Sequence, residues 1–188
     1  MPAQQRADAR RNHALILAVA EAEVAAHGAD TSLEQVARAA GVGSATVRRH
    51  FPSRRALLDA VFQERAEALC ARARALADTP DSRAALLTWL SDVTAYAASA
   101  RGMATTLTYD EAHVSLCSTK LSDAADPLLR RAARDGAIAP DLTIADLLTL
   151  VTGIALATEH HRDPAAEADR LLALTVAGIS PPASGRAG

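Results

Sequence analysis

The sequence predicts an all-α protein of about nine helices, and three observations carry that expectation. Aromatic residues are only 3% of the 188 positions, and no stretch alternates apolar with polar residues as a half-buried strand would. Ala, Leu and Arg, all strong helix formers, dominate the chain. Apolar residues recur at helical spacing between capping residues, glycines and prolines.

Residues 1–6 are expected to be disordered. A first helix runs from about Ala7 to His27, with Leu15, Ala18, Val19, Ala22 and Ala26 on one face and Gly28 as its stop. A second opens at Ser32, where Gln35 three residues on completes a capping box, and it closes at Gly41. A third spans Ser44 to about Phe51; Pro52 prevents its continuation, and Ser53 caps a long fourth helix to about Ala77. "DTPDS" (78–82) is a turn, a fifth helix covers about Arg83–Ser99, and a short one about Met103–Glu111. The next runs from about Ser115 to Arg134, either kinked at Pro127 or restarted there with Asp126 as cap, and Gly136 ends it. Thr143 caps a helix from Ile144 to about His160, "DP" (163–164) starts the last one, and that ends near Gly178. "SPPASGRAG" reads as a disordered tail. The division expected is a three-helix head (1–53), a helical body (54–180) and a tail (181–188).

Charge is unevenly placed. The net charge is −2, yet residues 1–55 hold eight Arg against five acids, a net +3, while the rest carries 12 basic and 17 acidic groups, a net −5. A basic head on an acidic body suits a module that meets a polyanion and a body that does not. Cys70 and Cys117 fit no metal spacing and read as reduced core thiols. His160 and His161 are adjacent on a helix, hence about 100° apart, so they do not chelate together; they suit a helix C-terminus instead. Neither a metal nor another cofactor is expected. No signal-peptide pattern or membrane span is expected either, which gives a cytoplasmic location. An enzyme would need a convergent nucleophile, acid–base pair or metal cluster, and no such motif is present; Asp110, Glu111 and His113 are not singled out by spacing.

The stretch "GVGSATVRRHFPSRRALL" (41–58) is the most informative. The second and third helices are too short to stand alone and must pack on the first and fourth. Val47 and Phe51, four apart, face that core, which leaves Ala45, Arg48 and Arg49 on the exposed face, Ser44 at the start, and Thr46 and His50 at the flanks. Two helices, a glycine turn and an arginine-bearing face form a helix-turn-helix, whose second helix enters the major groove. Arginine's planar fork can grip phosphate, or guanine O6 and N7, with two bonds.

"TSLEQVARAAGVGSATVRRHFPSRRALLDAVF" resembles the DNA-binding head of TetR-type transcriptional regulators over about residues 10–62. The Ala-Gly-Val turn, Thr46, His50, Phe51 and Leu57 coincide with the family pattern; Arg48, Ala45 and Arg54 depart from its usual Tyr, Gly and Lys. The resemblance implies phosphate contacts from Ser32 and Arg54, base-edge positions at Ser44, Ala45, Thr46 and Arg49, and backbone contacts from Arg48 and His50. The later stretches "WLSDVTAYAASARGMATTL" and "ADPLLRRAARDGAIAPDLTIADLLTLVTGIAL" look like the ligand domain of an SbtR-like actinobacterial branch.

The expected function is a ligand-responsive transcriptional regulator, by the resemblance most often a repressor. Its partners would be near-palindromic double-stranded DNA, a second copy of itself and an unidentified small apolar effector. Candidates to line a ligand chamber are Trp89, Tyr96, Met103, Leu107, Tyr109, His113 and Cys117. The last two long helices are expected to pair: Leu147, Leu148, Val151, Ile154 and Ala155 as an apolar face, Gly153 and Ala157 as a close-approach strip, and Leu171, Leu172, Leu174 and Thr175 from the final helix. The rival readings are a ligand-independent, nucleoid-type DNA-binding protein and a helical enzyme using the C-terminal pocket. Some 110 residues of amphipathic body exceed what a ligand-blind head needs for support.

Overall fold

The computed structural model describes residues 2–99 and 111–179, with the side chains of 2–7, 29, 99, 111–117 and 179 outside that description. Among the described residues the chain is helical, without strands. In order come α1 (Pro2–His27), a 3₁₀ turn (Gly28–Asp30), α2 (Leu33–Ala39), α3 (Ser44–His50), α4 (Arg54–Leu76), α5 (Ser82–Ser99), α6 (Glu111–Arg134), α7 (Ile144–Thr158) and α8 (Pro164–Ile179). The short helix expected from Met103 falls on positions outside the described residues, as does the tail from residue 180.

Two compact units are present, one within residues 1–65 and one made of Ala66–Ala98 with the chain from Ala112 on. In the first, Ile16, Leu17, Ala20 and Val24 of α1, Leu33, Val36 and Ala37 of α2, Val47 and Phe51 at α3, and Leu57, Leu58 and Val61 of α4 form a single core. The capping box at α2 is as expected: Ser32 Oγ accepts from the Gln35 N–H at 3.2 Å, and the Ser32 N–H donates to Gln35 Oε1 at 2.8 Å. Ser53 Oγ likewise accepts from the Ala56 N–H at the start of α4.

Two features of α1 differ from expectation. Its helix begins at Pro2, so residues 2–6 are helical and not a disordered start; proline is tolerated at the first helical position, and the Ala, Gln and Arg that follow are helix formers. Its buried face is Ile16, Leu17, Ala20 and Val24, whereas Leu15 is 46% exposed, and Ala18, Ala22 and Ala26 are exposed too. The run from Ala14 to Ala20 is apolar on every side, so periodicity alone does not fix which side turns inward.

The second unit's core joins Leu69 and Ala73 of α4 to Leu86, Trp89 and Val93 of α5, Leu128 and Ala132 of α6, Leu147, Val151 and Ile154 of α7, and Ala168 and Leu172 of α8. Asp81 caps α5 through the Ala84 N–H at 2.8 Å, and Asp163 caps α8 through the Ala166 N–H at 3.1 Å. α6 is one unbroken helix through Pro127, so the chain does not restart there. Asp126 instead pairs with Arg130 Nε at 2.6 Å, one turn on. Gly136, at φ +70°, ends α6 as expected, with the Ala137 N–H reaching back to the Ala132 carbonyl at 2.9 Å. α7 ends at Thr158, leaving His160 and His161 in the following turn and not in the helix's last turn.

Candidate nucleic-acid interface

The site is built by the short link between α2 and α3. Gly41 takes φ +66°, and this left-handed bend lets the Val42 N–H close on the Ala37 carbonyl at 3.0 Å, ending α2. Val42 packs against the core of the first unit. α3 follows at once, anchored by Val47, with no exposed surface, and by Phe51 at its C-terminal end. With that face fixed inward, Ser44, Ala45, Arg48 and Arg49 are exposed, and Thr46 and His50 are half-buried at the edges. This is the disposition expected of a helix with i and i+4 anchors.

The three basic side chains near the end of α3 are held differently. Arg49 lies along its own helix: Nε donates to the Ala45 carbonyl at 3.3 Å, and Nη2 to Thr46 Oγ1 at 3.2 Å. Its guanidinium thus rests beside two other positions expected to lie near base edges. Arg48 reaches across to α2 and donates from Nη2 to Glu34 Oε1. The His50 ring centroid is 5.6 Å from that of His13 on α1, and the His13 ring stacks on Phe51 at 5.0 Å and 27°. Arg48, Arg49 and His50 in the last turn also suit the negative end of the helix dipole.

Beside this face, Ser32 is half-buried at the α2 start; its Oγ is used as an acceptor, which leaves the hydroxyl proton free to donate. Arg54 opens α4 with its guanidinium 3.8 Å from the fully exposed Asp30 carboxylate. Sequence reasoning missed Glu34, Asp30 and His13. Each meets its partner across a turn or from another helix, where neither helical nor strand spacing applies.

In the second unit, Trp89 sits among the core residues of α4, α5 and α6. Expected to line a ligand chamber, it is fully buried in the core, and its indole N–H donates to the Leu69 carbonyl at 3.0 Å. The largest apolar side chain fills the core, and its single polar atom is satisfied there. Tyr96 is half-buried against the same core. Met103, Leu107 and Tyr109, and the side chains of His113 and Cys117, lie outside the described residues. Burial pushes the Cys70 thiol up from its ordinary range, which keeps it protonated.

The residues expected to pair take different positions within this chain. Leu147, Val151, Ile154, Ala155 and Leu172 are buried within this chain, and Leu148, Leu171 and Thr175 are half-buried. They close the unit's own core, because α7 and α8 pack on each other and on it. Of the residues named for pairing, Gly153, Ala157 and Leu174 are exposed. Leu156 and Leu174 stand 54% and 58% exposed, the large apolar side chains open to solvent on these two helices. Thr149 and Thr152 turn their hydroxyls back onto the Ala145 and Leu148 carbonyls, both at 2.8 Å, so they present mainly methyl groups outward. From Thr149 to Ala157 the outer side of α7 therefore carries no charge.

No helix among the described residues is long and apolar enough to cross a membrane. Residues 16–61 match the family model of bacterial regulatory proteins of the tetR family, and residues 81–181 match that of the SbtR-like transcriptional regulator C-terminal domain. Among solved structures, the TetR transcriptional regulator SCO0520 from Streptomyces coelicolor is 33% identical, with a TM-score of 0.73, covering 91% of this chain and 99% of that one. The TetR transcription regulatory protein from Mycobacterium vanbaalenii is 28% identical, with a TM-score of 0.69, over 94% and 99% of the two chains. The transcriptional regulator FadR from Bacillus subtilis in complex with stearoyl-CoA shares the fold at 17% identity and a TM-score of 0.60, over 88% and 98%. Nothing among curated protein sequences matches the chain.

Proposed function

This chain belongs to the TetR family of bacterial transcriptional regulators, DNA-binding proteins and not enzymes, and on that premise we propose that it is a ligand-responsive repressor, released from a near-palindromic operator by a small apolar molecule. The observation that carries the reading is the outer face of α3. Val47 and Phe51 lock one side into the core, and Arg48 and Arg49 project from the other beside Ser44, Ala45 and Thr46. A face of that kind fits the major groove, with Arg49 as base reader and Ser32, Arg48, His50 and Arg54 holding the backbone.

One α3 spans too few base pairs for genomic specificity, so two heads act together in a two-fold dimer. Its pairing surface is the uncharged outer strip of α7 (Thr149, Thr152, Gly153, Leu156, Ala157), with Leu174 of α8. In domain terms, residues 1–53 are the reading head, 54–180 the sensing and pairing body, and 181–188 a tail. The effector belongs to the body, with Tyr96 among the side chains that meet it. The bound stearoyl-CoA of the Bacillus subtilis regulator supports a long apolar chain as one class of effector. α4 contributes Leu57 to the head core and Leu69 to the body core, so effector binding acts on the head by shifting α4.

The test is a selection from randomised duplexes with wild type, Arg48→Ala and Arg49→Ala. Arg49→Ala should lose preference at one position in each half-site, the equivalent of about 1–3 kcal/mol of discrimination, while Arg48→Ala keeps the motif with weaker binding. An unaltered motif in Arg49→Ala removes Arg49 as the base reader. Failure of wild type to enrich any sequence removes the operator reading altogether.

A further inference from the structure

We propose that Glu34 is a specificity-determining residue of the head: it neutralises Arg48, so that this arginine gives directional bonds without adding sequence-blind attraction to DNA. The inference rests on the reading of α3 as the DNA-facing helix. Glu34 lies in the first turn of α2 and Arg48 in the last turn of α3, 14 residues apart, joined by a hydrogen-bonded ion pair across the turn. Both side chains are about half-exposed, at 53% and 56%. An exposed pair contributes only about 0–1 kcal/mol to folding, so its weight falls on electrostatics at the surface and not on stability.

The neighbouring cations show the contrast. Arg49 is held by a carbonyl and a hydroxyl, both neutral. Arg54 faces Asp30 at 3.8 Å, a looser pair whose carboxylate is wholly in solvent. Among the described contacts, Arg48 alone of the three is hydrogen-bonded to an acid, on the very face that meets DNA.

A guanidinium has five N–H donors, and the bond to Glu34 occupies one. The others remain able to hold a phosphate or a base edge in fixed directions. The charge, however, is cancelled. A cation that neutralises a phosphate releases counter-ions from any duplex whatever its sequence, whereas a neutral pair does so far less. Glu34 thus lowers binding to random DNA more than to the operator, and the ratio of the two is what a genome full of competing sites requires.

Binding of full-length wild type, Glu34→Gln, Arg48→Ala and the double variant is measured over a range of salt. The probes are a pool of random-sequence duplexes and the duplex that wild type enriches from that pool. Glu34→Gln, nearly isosteric, should bind the random pool about 3- to 10-fold tighter at low salt, with the slope of log K against log salt steeper by about one per head. Its gain on the enriched duplex should be smaller, so selectivity falls. In the Arg48→Ala background the same change should leave the slope where it was. An unaltered random-pool affinity and slope in Glu34→Gln overturns the proposal, as does an equal gain with Arg48 absent, which would mean simple removal of a surface charge. Wild type that binds no duplex even at low salt overturns the DNA-binding reading first and this inference with it.

Discussion

Replacing Gly153 by Leu separates the folding of this chain from its pairing. A Cβ built at Gly153 meets nothing within 4 Å, and the residue is exposed in the middle of α7. Within one copy the substitution is therefore sterically free, and exchanging glycine for a good helix former should favour the helix by roughly 0.5–1 kcal/mol. If α7 meets a second copy along Thr149, Thr152, Gly153, Leu156 and Ala157, the added side chain is forced between two close backbones. Overpacking of that kind costs about 1–3 kcal/mol, which raises the dimer Kd about 5- to 150-fold for one contact and further if both copies are burdened. Sedimentation over a concentration series reads the effect directly, and far-UV circular dichroism shows that helix content is retained. Dimers as tight as those of wild type would place Gly153 outside the interface. Loss of helix content would show that α7 is not free there, and would refute the reasoning at its first step.

Three further outcomes are expected. Arg54→Ala should weaken binding to all duplexes alike and make the salt slope shallower by about one unit per head, and an unchanged slope removes its phosphate role. Arg131→Ala takes donors from the carbonyls of Ala77, Thr79 and Pro80 at the end of α4, and should cost about 1–3 kcal/mol by urea midpoint; an unchanged midpoint would show that solvent replaces those bonds fully. The Asp146 carboxyl is held below its ordinary value of 3.8 first by the Thr143 hydroxyl and then by the Thr143 N–H. A depressed acid stabilises the fold above its unfolded pKa and loses that contribution as pH falls through the folded one, so Asp146→Asn should flatten the stability decline as pH falls below the ordinary carboxylate value of 3.8. Identical acid profiles for the two proteins would remove the box from the pH dependence.

What could be read from the sequence was whatever closes within a few residues. The Ser32–Gln35 box, the Thr143 cap, the helix stops at Gly41 and Gly136, and the inward pair Val47 and Phe51 depend on spacings of one helical turn or less, and all appear as expected. The exposed arginines of α3 follow from the same arithmetic. Contacts that cross the turn do not: Glu34 with Arg48, and His13 with Phe51, join elements whose mutual approach is set by the shared core. The continuity of α6 through Pro127 was open for a similar reason, since proline's lost N–H forbids one bond but does not dictate whether neighbours hold the helix together.

The pairing face shows where pattern reading stops for a physical reason. α7 reads "IADLLTLVTGIALAT", apolar around nearly its whole circumference beyond Asp146, and a helix of that kind is expected to be covered on more than one side. Its richest stripe, Leu147, Val151, Ile154 and Ala155, looks like an interface in sequence because it carries the most hydrophobic area. That same area is what the subunit's own core claims first, since a chain folds around its largest apolar surfaces before it meets a partner. The strip left over is poorer in area, with Thr149, Thr152, Gly153, Leu156 and Ala157, but its small residues let backbones approach closely and its hydroxyls are already satisfied. Close approach of small residues is how two helices gain dispersion contacts without long side chains. Leu156 and Leu174 are the two large apolar side chains exposed on α7 and α8, and they are what a second copy would cover if the strip pairs.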